Sequence, residues 1–93
     1  MKKVAIRETN KGYQLCELFI QKTNFGGYRK YAHDSSLSYK RLEFAKQKCL
    51  DFYKSFATFN SAYKIIEFYG VIGNTDFCGE EATEAEFLSF NQL

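Results

Sequence analysis

The chain of 93 residues has no proline and no tryptophan, a single histidine and three cysteines. These shortages exclude several kinds of chemistry. Cys16, Cys49 and Cys78 are odd in number, far apart and free of C-x-x-C spacing, which argues against a disulfide framework and a zinc knuckle. Reduced thiols in a cytosol are the simple expectation. Three thiols and one histidine supply no recognisable zinc set, and the acidic stretch near Glu80 lacks the D-x-[DN]-x-[DN]-G pattern of a calcium loop. The opening Met1-Lys2-Lys3-Val4-Ala5-Ile6-Arg7 has no apolar stretch long enough for a signal peptide. No window approaches the roughly 20 apolar residues that span a bilayer. The expectation is a cytoplasmic protein without a membrane partner.

Glycine is also scarce where catalysis would need it. Gly26-Gly27 lacks the G-K-[ST] ending and the strand-loop-helix setting of a phosphate loop, and no G-x-S-x-G elbow is present. His33-Asp34-Ser35-Ser36 invites a hydrolase reading. Adjacent residues rarely form a relay, however, and a turn of Asx and Ser type explains the same letters. We therefore expect no catalytic residue, no metal ligand and no cofactor.

What is present is apolar and aromatic. Hydrophobic residues make up 45% of the chain, with ten Phe and seven Tyr. Rings of that size bury enough area for a core without staples, and the length fits one small domain over residues 1–93, with no linker or repeat.

The patterning predicts an α+β fold: an antiparallel sheet of three to four strands on one long helix, with a short C-terminal helix. Residues 3–9 and 13–22 flank Asn10-Lys11-Gly12 and read as a hairpin. Asn24-Phe25-Gly26-Gly27 leads into a third strand over 28–33, with an edge at Tyr28 to His33 that could pair two copies. Asp34 to Ser38 reads as a polar loop, with Ser38 as N-cap of a helix over 39–58. On that helix Leu42, Ala45, Cys49, Phe52, Tyr53 and Phe56 share one side, with Lys40, Gln47, Lys48, Asp51, Lys54 and Ser55 opposite. Residues 63–72 read as a strand, although Ala62, Ile65, Ile66 and Tyr69 also match helical spacing. Thr83-Glu84-Ala85-Glu86 is a capping box that opens a helix over 83–91.

The net charge of +2 is unevenly placed. Met1 to Lys54 carries twelve Lys or Arg against five Asp or Glu, whereas Ser55 to Leu93 carries one Lys against six acids. If the fold keeps the halves apart, a basic face results; if the tail covers it, the two cancel. Two features of the basic half stand out. Tyr28-Arg29-Lys30-Tyr31 interleaves rings with cations, giving either a nucleic-acid surface or an edge strand protected by charge. Phe44 falls on the polar side of the helix among Lys40, Arg41 and Lys48, as a binding anchor would, unless the C-terminal segment covers it.

A meander followed by one long helix, here through Ser38 to Thr58, resembles the small sheet-plus-helix DNA-binding domains at the start of many phage integrases. The length, the uneven charge and a composition typical of AT-rich coding DNA resemble small phage accessory proteins, including anti-CRISPR and other anti-defence proteins. Both resemblances lie in organisation and carry no motif. They imply a non-catalytic inhibitor or regulator in a bacterial host cell, monomeric or homodimeric, that blocks a host or phage protein or a nucleoprotein complex by surface binding. The candidate contact residues are Phe44, Lys40, Arg41, Lys48, Arg29, Lys30 and Tyr31. Direct nucleic-acid binding through the same strand and helix face is the alternative.

Overall fold

In the computed structural model, which describes residues 1–91, strands β1 (Lys2–Thr9), β2 (Gly12–Lys22) and β3 (Tyr28–Tyr39) form the expected meander. The first turn is held by the Thr9 hydroxyl, which accepts from the Lys11 amide and donates to the Gly12 carbonyl, both at 3.1 Å. Gly12 is required twice over. Its φ is +141°, and a Cβ there would lie 2.6 Å from the Tyr39 carbonyl oxygen.

Helix α1 (Leu42–Lys54) and two 3₁₀ turns (Ser55–Thr58 and Ser61–Lys64) then return the chain across one face of the sheet to β4 (Ile66–Ile72). Because α1 reverses direction after β3, β4 arrives parallel to β1 and pairs with it. Residues 73–77 cross to the opposite edge, where β5 (Cys78–Ala82) pairs with β3, and α2 (Glu84–Phe90) follows. The sheet order is β4-β1-β2-β3-β5.

Strand alternation divides the core into two layers. Val4, Ile6 and Leu15 meet Ala45, Cys49 and Tyr53 of α1 on one face. Ala5, Cys16 and Leu18 meet Ile72 and Phe77 on the other, with Phe90 of α2 against them. The helical periodicity thus reads correctly, since Ala45, Cys49 and Tyr53 are buried while Lys40, Gln47, Lys48, Asp51, Lys54 and Ser55 are exposed. The C-terminal capping box is also present: the Thr83 hydroxyl accepts from the Glu86 amide at 3.1 Å, and the Glu86 carboxylate accepts from the Thr83 amide at 3.0 Å.

Several expectations require correction. The sheet is mixed and five-stranded instead of antiparallel with three to four strands. The third strand runs to Tyr39, not to His33, and absorbs the stretch read as a polar loop. Tyr39 pairs with Tyr13, so Ser38 is strand and caps nothing; α1 starts at Leu42 after Arg41, which gives no side-chain cap. Its regular part ends at Lys54 and tightens into the 3₁₀ turn at Ser55–Thr58, short of the expected 39–58 span. Residues 66–72 are strand, as preferred over helix, but Ser61–Lys64 is a 3₁₀ turn whose Ala62 amide donates to the Asn60 side chain. Finally, Tyr28 to Tyr31 is no open edge, because β5 pairs with Tyr28, Arg29 and Tyr31.

One buried cation organises the second layer. Arg7 is 4% exposed, and its Nη1 donates to the carbonyls of Gly73, Asn74 and Asp76 at 3.0, 3.1 and 2.6 Å. Its Nε donates to the Asp34 carboxylate at 3.2 Å. Burial works against the charge, and Asp34 more than offsets it, so the guanidinium is held above its ordinary value. Replacing Arg7 with Ala removes all four contacts and leaves a gap beneath them, and the expected loss is about 3 kcal/mol in urea denaturation, with Arg7→Lys intermediate because one ammonium cannot span them. An unchanged midpoint for Arg7→Ala would remove this tie from the account.

The thiols give a second check. Cys16 and Cys49 are fully buried, and burial pushes both up to about 12, with the Asp34 carboxylate adding to the effect at Cys16. Cys78 is exposed. A disulfide-exchange reagent near neutral pH should therefore modify one thiol of three in the folded protein and all three after denaturation.

Candidate functional site

The outward side of α1 carries the most unusual surface. Lys40, Arg41, Lys46, Lys48 and Lys54 stand against Glu43 and Asp51 over residues 40–54, and all seven are exposed. The ion pairs among the described residues involve other cations, namely Lys2, Lys3, Arg7 and Lys30. Phe44 sits in this field, 46% exposed. Its ring meets Tyr39 edge-on, with centroids 5.3 Å apart at 81°, and the Lys48 ammonium lies 5.2 Å from its centre. These contacts hold the ring in place on a solvent-facing helix. Among the described residues α2 does not cover it, because Phe87 and Phe90 dock on the opposite face of the sheet, against Tyr28 and against Tyr69 and Phe77.

The structure does not bring Arg29, Lys30 and Tyr31 to this surface. Tyr31 lies eight residues before Tyr39 on the same strand, roughly 25 Å away at about 3.3 Å per residue. These side chains are also engaged internally. Arg29 donates to the Gly79 carbonyl at 2.7 Å, Lys30 pairs with Glu86 at 3.1 Å beside the Phe77 ring, and Tyr31 stacks on Phe19 at 5.7 Å. The basic strand is a seam between β3, β5 and α2.

The sequence reading missed a cleft of about 420 Å³ between the C-terminal end of α1 and β3. Phe52, Tyr53, Phe56 and Tyr63 supply aromatic walls, and neighbouring rings stand at 70–72° to each other. Glu17 and His33, directly opposite each other on β2 and β3, supply polar groups. The Glu17 carboxylate accepts from the Tyr63 hydroxyl at 2.6 Å and pairs with Lys2 at 3.3 Å. A signal for it existed in the sequence: Glu17 interrupts the apolar set Tyr13, Leu15 and Phe19 on a central strand.

The hydrolase letters fall apart in three dimensions. His33 and Asp34 are successive strand residues and point to opposite faces, and the Asp34 carboxylate is bound to Arg7. Among the described residues no group of three or more His, Cys, Asp or Glu side chains is placed to hold a metal ion, and no helix is long and apolar enough to cross a membrane. No protein-family model matches the chain, nor does any curated protein or solved structure, so the sites stand on their own chemistry.

Burial and the hydrogen bond to Glu17 push the Tyr63 phenol up to about 12. A raised phenol favours the neutral folded form, so its stabilisation is complete below the unfolded value of about 10 and is lost as pH rises through about 12. Tyr63→Phe should be less stable than the parent by about 1 kcal/mol at neutral pH, given partial solvent screening. That gap should narrow when urea midpoints of both proteins are followed from about pH 10 to about pH 12. A gap constant over this range would show that Glu17 and Tyr63 do not interact.

Proposed function

We propose that the chain is a non-catalytic binding protein whose working surface is the outward side of α1, with Phe44 as the anchor and Lys40, Arg41 and Lys48 around it. The observation that carries this reading is an ordered, half-exposed phenylalanine among cations that have no internal acid partner among the described residues. A large ring that is already fixed loses little freedom on binding, and flanking cations steer an acidic partner and select its orientation. The partner that fits is an acidic protein surface, either alone or within a nucleoprotein complex. Blocking such a surface needs no active site, which suits the inhibitor or regulator role of the small phage proteins that the chain resembles in organisation.

Direct nucleic-acid binding is less well supported. It draws on Arg29 and Lys30 as well as the helix, and both strand cations are committed to internal contacts. In a gel shift with random single- and double-stranded DNA and RNA at about 50 mM salt, the expected result is no retardation, since phosphate binding is strongest at low salt. With a partner isolated from host lysate and then purified, Phe44→Ala should weaken binding by about 2 kcal/mol and a Lys40, Arg41, Lys48 charge reversal should slow association. The charge reversal should leave the melting temperature nearly unchanged, and Phe44→Ala should lower it through the lost Tyr39 contact while the protein stays folded. Undiminished affinity in both variants, or retardation of random nucleic acid that Phe44→Ala abolishes, would overturn this reading.

A further inference from the structure

The aromatic cleft lies on a different part of the molecule from Phe44 and is not used by the proposed function. We propose that it is a binding site for an organic cation, an alkylammonium group of the size of a lysine side chain, held between the Glu17 carboxylate and the rings of Phe52, Phe56 and Tyr63.

Three observations point to this ligand class. The first is the wall chemistry. Aromatic faces carry negative potential and attract a desolvated ammonium within about 6 Å, and four rings meet here with neighbours nearly perpendicular, so the wall offers faces and not only edges. The second is the placement of charge. The Glu17 side chain is only 16% exposed, so its carboxylate meets a cation with little screening by water, and it lines the same cleft as the rings. The third is that the same groups already hold an ammonium. Lys2 reaches in from β1, with its Nζ 3.3 Å from Glu17 and 5.1 Å from the centre of the Tyr63 ring. Lys2 approaches from outside the cleft and is not among its lining residues, so the cavity in front of Phe52 and Phe56 stays open. Its volume of about 420 Å³ is ample for one such group.

This arrangement makes Lys2 an internal competitor for Glu17. Removing the Lys2 charge should tighten binding of an external ammonium, whereas removing the Glu17 charge should weaken it. A purely apolar cleft would show neither response.

The test is titration of the folded chain with butylammonium chloride, followed by nuclear magnetic resonance shifts of the Tyr63 and His33 rings, with butanol as the neutral analogue of like size. Binding should be saturable for butylammonium and at least about tenfold weaker for butanol. Lys2→Met should tighten it several-fold and Glu17→Gln weaken it about tenfold or more. N-acetyl-lysine methylamide and a short lysine-containing peptide form the second arm. Tighter binding of the peptide than of the free amine identifies a side chain of a partner as the source, and equal binding identifies a free amine. Should Glu17→Gln fail to fold, the Lys2→Met response still decides, since Lys2 lies at the surface end of the pair. Equal shifts with butanol, or no tightening in Lys2→Met, would overturn the assignment.

Discussion

The fold depends on a single buried guanidinium. Desolvating Arg7 costs several kcal/mol unless its donors are met, and here one strand residue reaches a carboxylate on β3 and three carbonyls of the segment between β4 and β5. That segment must carry the chain from one edge of the sheet to the other. Three of its carbonyls converge on Arg7, which fixes the course of a segment whose residues 73–76 are themselves exposed. The same segment places Phe77, 7% exposed, in the second layer at a φ of 56°, an unfavourable conformation for a ring-bearing residue. The Glu80 carboxylate offsets the strain by accepting from the Phe77 and Cys78 amides, and those bonds hold it below the usual carboxylate range.

This anchoring decides where charge ends up. The acid-rich C-terminal segment follows 73–77 onto the face opposite α1, where Glu86 takes up Lys30. On the β4 edge, Glu67 takes up Lys3. Acids that follow α1 therefore neutralise Lys3 and Lys30 of the sheet, and among the described residues none pairs with a cation of α1. A surplus of positive charge thus persists over residues 40–54, where five exposed cations face two acids on one helix and the residues just before it.

How much of this was legible follows from how local each cause is. The side of α1 that is buried, the capping box at Thr83 and the turn before Gly12 depend on neighbours within a few residues, and the sequence pattern shows them. The extension of β3 through Asp34 to Tyr39 does not: its polar letters suit a loop, and partners distant in sequence, Arg7, Tyr13, Gln14 and Cys16, hold it in a strand. Likewise β5 is Cys-Gly-Glu-Glu-Ala, poor in strand formers, and it is a strand because Tyr28 to Tyr31 offers it an edge. Phe44 could be picked out because a helical wheel is local. Of the cleft only Glu17, a charge within an apolar set, stands out in the sequence, because its partner Tyr63 lies 46 positions away.

The aromatic residues also distinguish contacts between elements from contacts within one. Four lysine ammonium groups lie over rings among the described residues. Lys2 over Tyr63, Lys3 over Phe90 and Lys30 over Phe77 each join a strand of the meander to a segment that follows α1, and so help hold the late parts of the chain in place. Lys48 over Phe44 joins two residues of one helix, one turn apart, and connects no element to another. A pair that adds a few tenths of a kcal/mol to one helix does not explain leaving a phenylalanine half in water. Phe44 does tie α1 to β3 through its edge-on contact with Tyr39, so the ring is fixed from one side by the sheet while the rest of it, 46% exposed, stays open to solvent in the field of Lys40, Arg41 and Lys48.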